Sequence, residues 1–387
     1  MGVTGHIRKQ GDGRYRVVVN LPRTDDGRYP RQVRIARTRG EAQDILDRLR
    51  READLSGLRE PSRETLGDYL RRWLADYGTQ KYTPKTLERY RGIVEKHIVP
   101  TIGTVRLRDL WPKHLQRAYR IWRADGLSPA TVRQHHALLS AALGQAVREG
   151  ILPRNVAALA EPPKLPHREV VALKEGEARA LLDSLGTHLR RQEAVDGPLL
   201  HVAAALALHC GLRRGEICAL RWTDVNLREA ALTVTRSTEQ TADGLRVKSP
   251  KSRAGERTLP LTAELVTILK AERKRQAAAA LAGAADYRDS GLVCPKWNGD
   301  PQKPDSLGAA FARAARRRGF AGVTLHTLRR TYATILAAHG VPPRDAQYLL
   351  GHASLQTTLK VYTATTEEMQ DRARRAVAAA LGVCETA

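Results

Sequence analysis

From Arg213 to Tyr362 stand six side chains whose types suit work on an anionic oxygen: Arg213, Lys251, His326, Arg329, His352 and Tyr362. Arg213 follows a Gly211-Leu212 turn and precedes Glu216 by three positions. His326 and Arg329 stand one helical turn apart, and Tyr362 comes ten positions after the Gly351-His352 break. Lys251 lies in a polar turn spanning 248–257, with Lys248 as its rival for any lysine chemistry there. Arginine has a planar fork that grips two phosphate oxygens and stays charged at any working pH. Histidine, with a pKa near ~6.5, can move a proton or hydrogen-bond a phosphate. A phenol of pKa ~10 must lose its proton to attack, and its phenolate then leaves readily. Cleaving a phosphate ester without a metal needs a nucleophile, cations over the phosphate and a proton for the departing oxygen. Taken singly, each residue also has a plainer reading: Arg213-Arg214 as a surface basic pair, His326 as a packed histidine, Glu216 as a helix-start carboxylate.

The rest of the chain must bring these groups together and hold their ligand. At 387 residues it exceeds one typical core, so two or three domains are expected. Its formal charge of +24 repels itself in a compact fold, and binding a polyanion is the usual reason to carry it. Nucleic acid fits better than membrane, because no amphipathic basic helix with a bulky apolar face stands out. The apolar run 198–212 is too short to span a bilayer and contains His201 and His209. No secretory signal opens the chain, so a cytoplasmic location is expected. Cys210, Cys218, Cys294 and Cys384 lack C-x-x-C spacing and read as reduced thiols. With no H-E-x-x-H, Walker A or paired-carboxylate cluster, no metal, nucleotide or other cofactor is expected.

The patterning predicts a multidomain α+β fold. Residues 14–19 and 31–35 are strand-like around an Asp26-Gly27 turn, and Ala42, Ile45, Leu46 and Leu49 give 40–52 a helical face. This segment, 1–60, carries ten Lys/Arg against three acids up to residue 40. It predicts a basic three-stranded sheet backed by a helix, a shape the major groove admits. From 64 to 160 the pattern is helical. Thr83-Pro84 and Ser128-Pro129 start helices whose stripes are Leu87, Tyr90, Val94, Ile98 and Val132, His136, Leu139, Leu143. A proline-rich linker, 161–173, separates this bundle from a mixed region, 174–387, and would let two domains close around a duplex. In that last region a buried helix stops at Gly211. Strands are expected at 232–235, 245–248 and 257–261, the first two joined around Asp243-Gly244, with helices from about 262, 305, 327, 343, 354 and 366.

The motifs Gly211-Leu212-Arg213-Arg214-Gly215-Glu216, His326-Thr327-Leu328-Arg329 and Leu349-Leu350-Gly351-His352, with Tyr362 beyond, resemble the active-site series of the tyrosine recombinases, the phage integrase family. The resemblance covers most of the chain. It implies an arm-type DNA-binding domain at 1–60, a helical SAM-like core-binding domain at 64–160 and a catalytic domain at 174–387. It further implies a site-specific integrase of a phage or mobile element, acting through a 3′-phosphotyrosyl intermediate. Tyr362 would be the nucleophile, Arg213 and Arg329 the phosphate clamp, and His326 and His352 its histidine partners. Lys251 would be the general acid, on a hairpin reaching the minor groove, and Glu216 a supporting acid. Arg330 stands where members commonly have His, Thr327 where they have Asp, and Thr363-Ala364 where many have Thr-His. Implied partners are double-stranded attachment sites, a homotetramer on DNA coupled through a 366–381 tail helix, a DNA-bending host factor and an excisionase. The alternatives are a catalytically silent DNA-binding protein of the same fold, an Xer-type resolvase, or a type IB topoisomerase-like strand transferase.

Overall fold

The computed structural model describes residues 4–20, 31–56, 64–166, 171–187, 197–249, 255–282 and 287–362. The chain divides into two compact units, Met1–His167 and Arg168–Ala387. The Asp26-Gly27 turn, Lys251 and the tail helix expected at 366–381 lie outside the described residues.

The first unit begins with an antiparallel sheet in the order β1-β2-β3: Thr4–Lys9, Tyr15–Asn20 and Arg31–Ala36. Helix α1, Arg39–Ser56, covers one face. Val17, Val19 and Ala36 from the sheet meet Ala42, Leu46 and Leu49 from the helix in a small core. The first strand has no apolar alternation (Thr-Gly-His-Ile-Arg-Lys), which is why the sequence pattern alone locates only the other two. Across β1 and β2, Arg8 stands directly opposite Arg16, both exposed.

The helical bundle has a separate core. Its elements are α2 (Leu66–Trp73), α3 (Thr79–Lys81), α4 (Pro84–Ile93), α5 (Val99–Ile102), α6 (Pro112–Ala124) and α7 (Pro129–Arg148). Wide turns at Leu74–Gly78 and Val94–Ile98 link α2 to α3 and α4 to α5. The Ser128 hydroxyl accepts from the Thr131 amide at 3.1 Å, closing the start of α7, whereas the Thr83 hydroxyl bonds that of Thr86 instead. The expected stripes face inward, and Arg89, Arg91 and Arg133 are exposed. The most deeply buried histidine is His135, one position before the predicted stripe residue His136. Its ring stacks on His97 at 4.8 Å and meets Trp122 edge-on at 4.9 Å.

The second unit is built on α9, Gly197–His209, whose residues Val202 to Ala207 are all buried. Around it are α8 (Glu175–Thr187), α10 (Arg214–Ala219), α11 (Ala263–Leu281), α12 (Pro304–Arg317) and α13 (Leu325–Ala338). Helices α14 (Pro343–Leu350) and α15 (Leu355–Tyr362) close the described chain. The sheet corrects one expectation. Strand β5 (Ala231–Val234) pairs with β4 (Val225–Asn226) and β8 (Arg257–Pro260), not with the strand next in sequence. The hairpin around Asp243-Gly244 instead joins β6 (Ser237–Thr241) to β7 (Gly244–Lys248). Strand β6 is Ser-Thr-Glu-Gln-Thr, with no apolar residue to announce it; it is set by backbone pairing and by a Lys248–Glu239 ion pair of 2.8 Å. Among the described residues, no helix is long and apolar enough to cross a membrane.

Candidate active site

Two glycines set the backbone of the site. Gly211, at φ +60°, lets α9 end and the chain turn sharply into Arg213; a Cβ there would lie 2.5 Å from the ring of Tyr332. Gly351, at φ 61° and ψ 44°, ends α14 in the left-handed conformation that glycine adopts without steric penalty. The last carbonyls of a helix lack intrahelical partners and carry the negative end of its dipole, so cations gather there.

Three arginines do so, each taking one of three successive carbonyls. Arg257 Nε donates to the Leu349 carbonyl at 2.9 Å, Arg329 Nη2 to that of Leu350 at 2.5 Å, and Arg213 Nη2 to that of Gly351 at 2.6 Å. They come from three elements: β8, the first turns of α13, and the residue preceding α10. Arg329 also donates through Nη1 to the Gly211 carbonyl, so both glycine turns converge on one guanidinium.

Glu216 offsets part of this charge. Its Oε1 accepts from Arg213 Nη1 at 2.7 Å and from Arg257 Nη1 at 3.3 Å. Its Oε2 accepts from the Arg213 backbone amide at 2.9 Å and from Arg257 Nη2 at 2.9 Å. Burial acts to raise the Glu216 pKa, but the hydrogen bonds and charge of Arg257, joined by Arg213, outweigh it and hold the carboxyl below the usual range. Arg329 is almost wholly buried. That burial, with Arg213 nearby, lowers its guanidinium to about 9, still well above neutrality, so it stays charged.

His352 follows Gly351 directly, and its Nδ1 pairs with the buried Thr358 hydroxyl of α15 at 3.0 Å. Burial and then Arg329, Arg213, Arg257 and His326 push its pKa down to about 4. His326, on the first turn of α13, is likewise lowered, by burial and then by Arg330, Arg329 and Arg213, although its side chain reaches solvent. Both shifts favour the neutral imidazole over the charged one.

Arg213, Glu216, His326, Arg329 and His352 are thus brought together. Tyr362 is the last residue of α15, and its hydroxyl donates to the Val341 carbonyl, between α13 and α14, at 2.9 Å. Burial raises the Tyr332 hydroxyl to about 12; Cys210 and Tyr362 add to the rise, and Arg257 and Arg329 oppose it. Lys248 is engaged by Glu239. Arg214 turns to Asp305 at 2.8 Å, away from the carbonyl cap.

The residue that motif reading missed is Arg257. The signal was present: β8 alternates inward and outward, and Arg257 falls in phase with the buried Leu259. An arginine on the core face of a strand requires a buried acid. Among the described residues, no three His, Cys, Asp or Glu side chains converge as a metal site would need.

A model of the phage integrase family matches residues 172–369, and one of the phage integrase N-terminal SAM-like domain matches 65–123. A tyrosine recombinase XerC-like protein of Caldanaerobacter subterraneus subsp. tengcongensis is 26% identical over 379 residues, 92% of this chain and 93% of that one. A Tn1549 transposon integrase in complex with transposon right end DNA superposes with a TM-score of 0.68 at 18% identity, over 81% of this chain and 99% of that one. A lambda integrase tetramer bound to a Holliday junction does so with a TM-score of 0.60 at 19% identity, over 93% and 96%. The arginine-histidine cluster and the match across its domain lead to one conclusion: this chain belongs to the phage integrase family of tyrosine recombinases.

Proposed function

We propose that this protein is the integrase of a phage or mobile element, and that Tyr362 cuts one DNA strand at a time. The phenol oxygen attacks phosphorus, the bond from phosphorus to the 5′ oxygen breaks, and a 3′-phosphotyrosyl ester forms. The phenolic proton passes to neutral His326, and the departing 5′ oxygen takes its proton from Lys251. Lys248 is the weaker candidate for that task because Glu239 already pairs with it. Arg213 and Arg329 grip the non-bridging oxygens, which carry extra charge in the pentacoordinate transition state and so are held more tightly there than in the ground state. His352 hydrogen-bonds one of the same oxygens. Glu216 orients Arg213. Because the ester retains the bond energy, a 5′-hydroxyl can attack it in turn and rejoin the strand without ATP.

The carrying observation is the triple arginine cap on α14: three guanidinium groups are gathered beside His352, and Arg213 among them keeps 42% of its side chain exposed to meet a phosphate. The Tyr362–Val341 hydrogen bond must break before attack, so α15 or its flanks shift when DNA binds. The division of labour follows the domain boundaries 1–60, 64–160 and 174–387, joined by a 161–173 linker. Arg8 opposite Arg16 is a like-charged cross-strand pair, which destabilises a sheet unless an anion lies over it. This supports an arm-type DNA role for the first of these domains. The exposed Arg89, Arg91 and Arg133 support a core-site role for the bundle. Four copies act together on paired attachment sites, as in the lambda integrase assembly, with a DNA-bending host factor and an excisionase setting direction. A silent DNA binder would have no use for six such side chains (Arg213, Lys251, His326, Arg329, His352 and Tyr362) kept at family spacing.

The test uses duplex DNA from the element's own junctions, labelled with phosphorus-32 and nicked near the crossover so that the short cleaved strand diffuses away. Label transfers to the wild-type protein in the presence of chelator and does not transfer to Tyr362→Phe. Equal labelling of Tyr362→Phe would remove Tyr362 from the mechanism.

A further inference from the structure

We infer that Arg257, which no sequence motif singles out, is a positioning residue for strand cleavage: it fixes Arg213 over the phosphate without touching DNA itself. The inference rests on the reading of Arg213 and Tyr362 above.

Arg257 has no solvent-accessible side-chain surface, so it cannot reach a substrate. Its hydrogen bonds instead close a ring. Nε holds the Leu349 carbonyl, Nη1 the Gly255 carbonyl and Glu216, and Nη2 the other oxygen of Glu216. Glu216 in turn holds the Arg213 backbone and guanidinium, and Arg213 returns to Gly351, two residues beyond Leu349. The ring therefore sets the distance between the start of α10 and the end of α14. Arg213, unlike Arg257, keeps 42% of its side chain exposed and is free to meet a ligand. Of its two anchors, the Gly351 carbonyl is a single hydrogen bond, whereas Glu216 is fixed on its far side by Arg257.

The chemistry explains why this position needs arginine. Glu216 shared between Arg213 and Arg257 cannot swing toward either residue without losing two bonds to the other. A lysine at 257 would keep the charge but has no rigid fork, so it cannot hold Glu216 and the Leu349 carbonyl at once. Glu216 would then follow Arg213 outward, and the Arg213 fork would lose its aim. Misplacing a catalytic group by about 1 Å lowers rate by about 100-fold.

The experiment measures single-turnover cleavage by the full-length protein on a junction duplex. A second substrate carries sulfur in place of the 5′ bridging oxygen. A thiolate departs without being protonated, so this substrate restores variants that lack the proton donor and does nothing for variants whose phosphate clamp is loose. Arg257→Lys is expected to bind DNA as the wild type does and to cleave about 100-fold more slowly on both substrates, with the pH profile unmoved. If Arg257→Lys does not fold, the paired change Arg257→Met with Glu216→Gln removes both buried charges together and is expected to show the same slow cleavage. Wild-type cleavage by a folded variant, or recovery on the sulfur substrate, would overturn the assignment. Cleavage by Tyr362→Phe run alongside would instead overturn the underlying reading of the nucleophile.

Discussion

His135 in the helical bundle and His352 in the catalytic unit are both pushed down to about 4, by different surroundings. His135 is 1% exposed, packed between Trp122 and His97, and its Nδ1 has no hydrogen-bond partner among the described residues. Burial does most of the work there, with His97 adding to it. His352 is only partly buried, keeps a partner in Thr358, and feels three arginines and His326 as well as burial. One site rejects any charge. The other rejects only positive charge and would welcome a negative one. That difference separates a core from a candidate anion site, and a pKa alone would not reveal it.

The comparison can be broken by mutation. Arg329→Ala removes one of the two proposed phosphate grips and is expected to lower cleavage about 10³-fold, with DNA affinity much less affected, as single-turnover rates and mobility shifts would measure. Leu139→Ala in the bundle should do the reverse. It costs about 2–5 kcal/mol of unfolding stability through the cavity it leaves, while DNA already bound is cleaved at the wild-type rate. If Leu139→Ala slowed the chemistry as much as Arg329→Ala, the two regions would not be separable in function.

Acid sharpens the contrast. A folded-state pKa below the unfolded ~6.5 means that the unfolded chain binds more protons between these values. Stability from either histidine is thus fully present above about pH 6.5 and is lost as pH falls toward 4. For the buried His135 this amounts to about 3 kcal/mol. His135→Phe should accordingly flatten the acid limb of bundle unfolding between pH 6.5 and 4, as followed by near-ultraviolet circular dichroism. The smallest effect expected is from inorganic phosphate. By binding only the folded catalytic unit, it should raise that unit's unfolding temperature by a few degrees at concentrations well above its Kd and leave the bundle's unchanged.

Much of the candidate cluster was legible because its members are tied to local punctuation. Gly211 and Gly351 end helices, and Arg213 and His352 follow those ends within two residues. His326 and Arg329 share the first turns of one helix. The bundle was legible from its apolar stripes. What was not legible depended on pairing at a distance. Strand β6 carries no apolar pattern, and β5 skips its sequence neighbour to pair with β8. Arg257 is meaningful only once β8 is placed beside Glu216 and the end of α14. The bond from the Tyr362 hydroxyl to Val341 likewise joins the end of α15 to the α13–α14 loop, which no spacing rule connects.

The most direct test of an assembled anion site is to titrate the histidine ring protons of the full-length protein by nuclear magnetic resonance, with and without inorganic phosphate. The three arginines on α14 predict that the His352 pKa rises from about 4 when phosphate is added, while that of His135 stays where it is. A His352 pKa that does not respond, or a His135 pKa that moves equally, would contradict it.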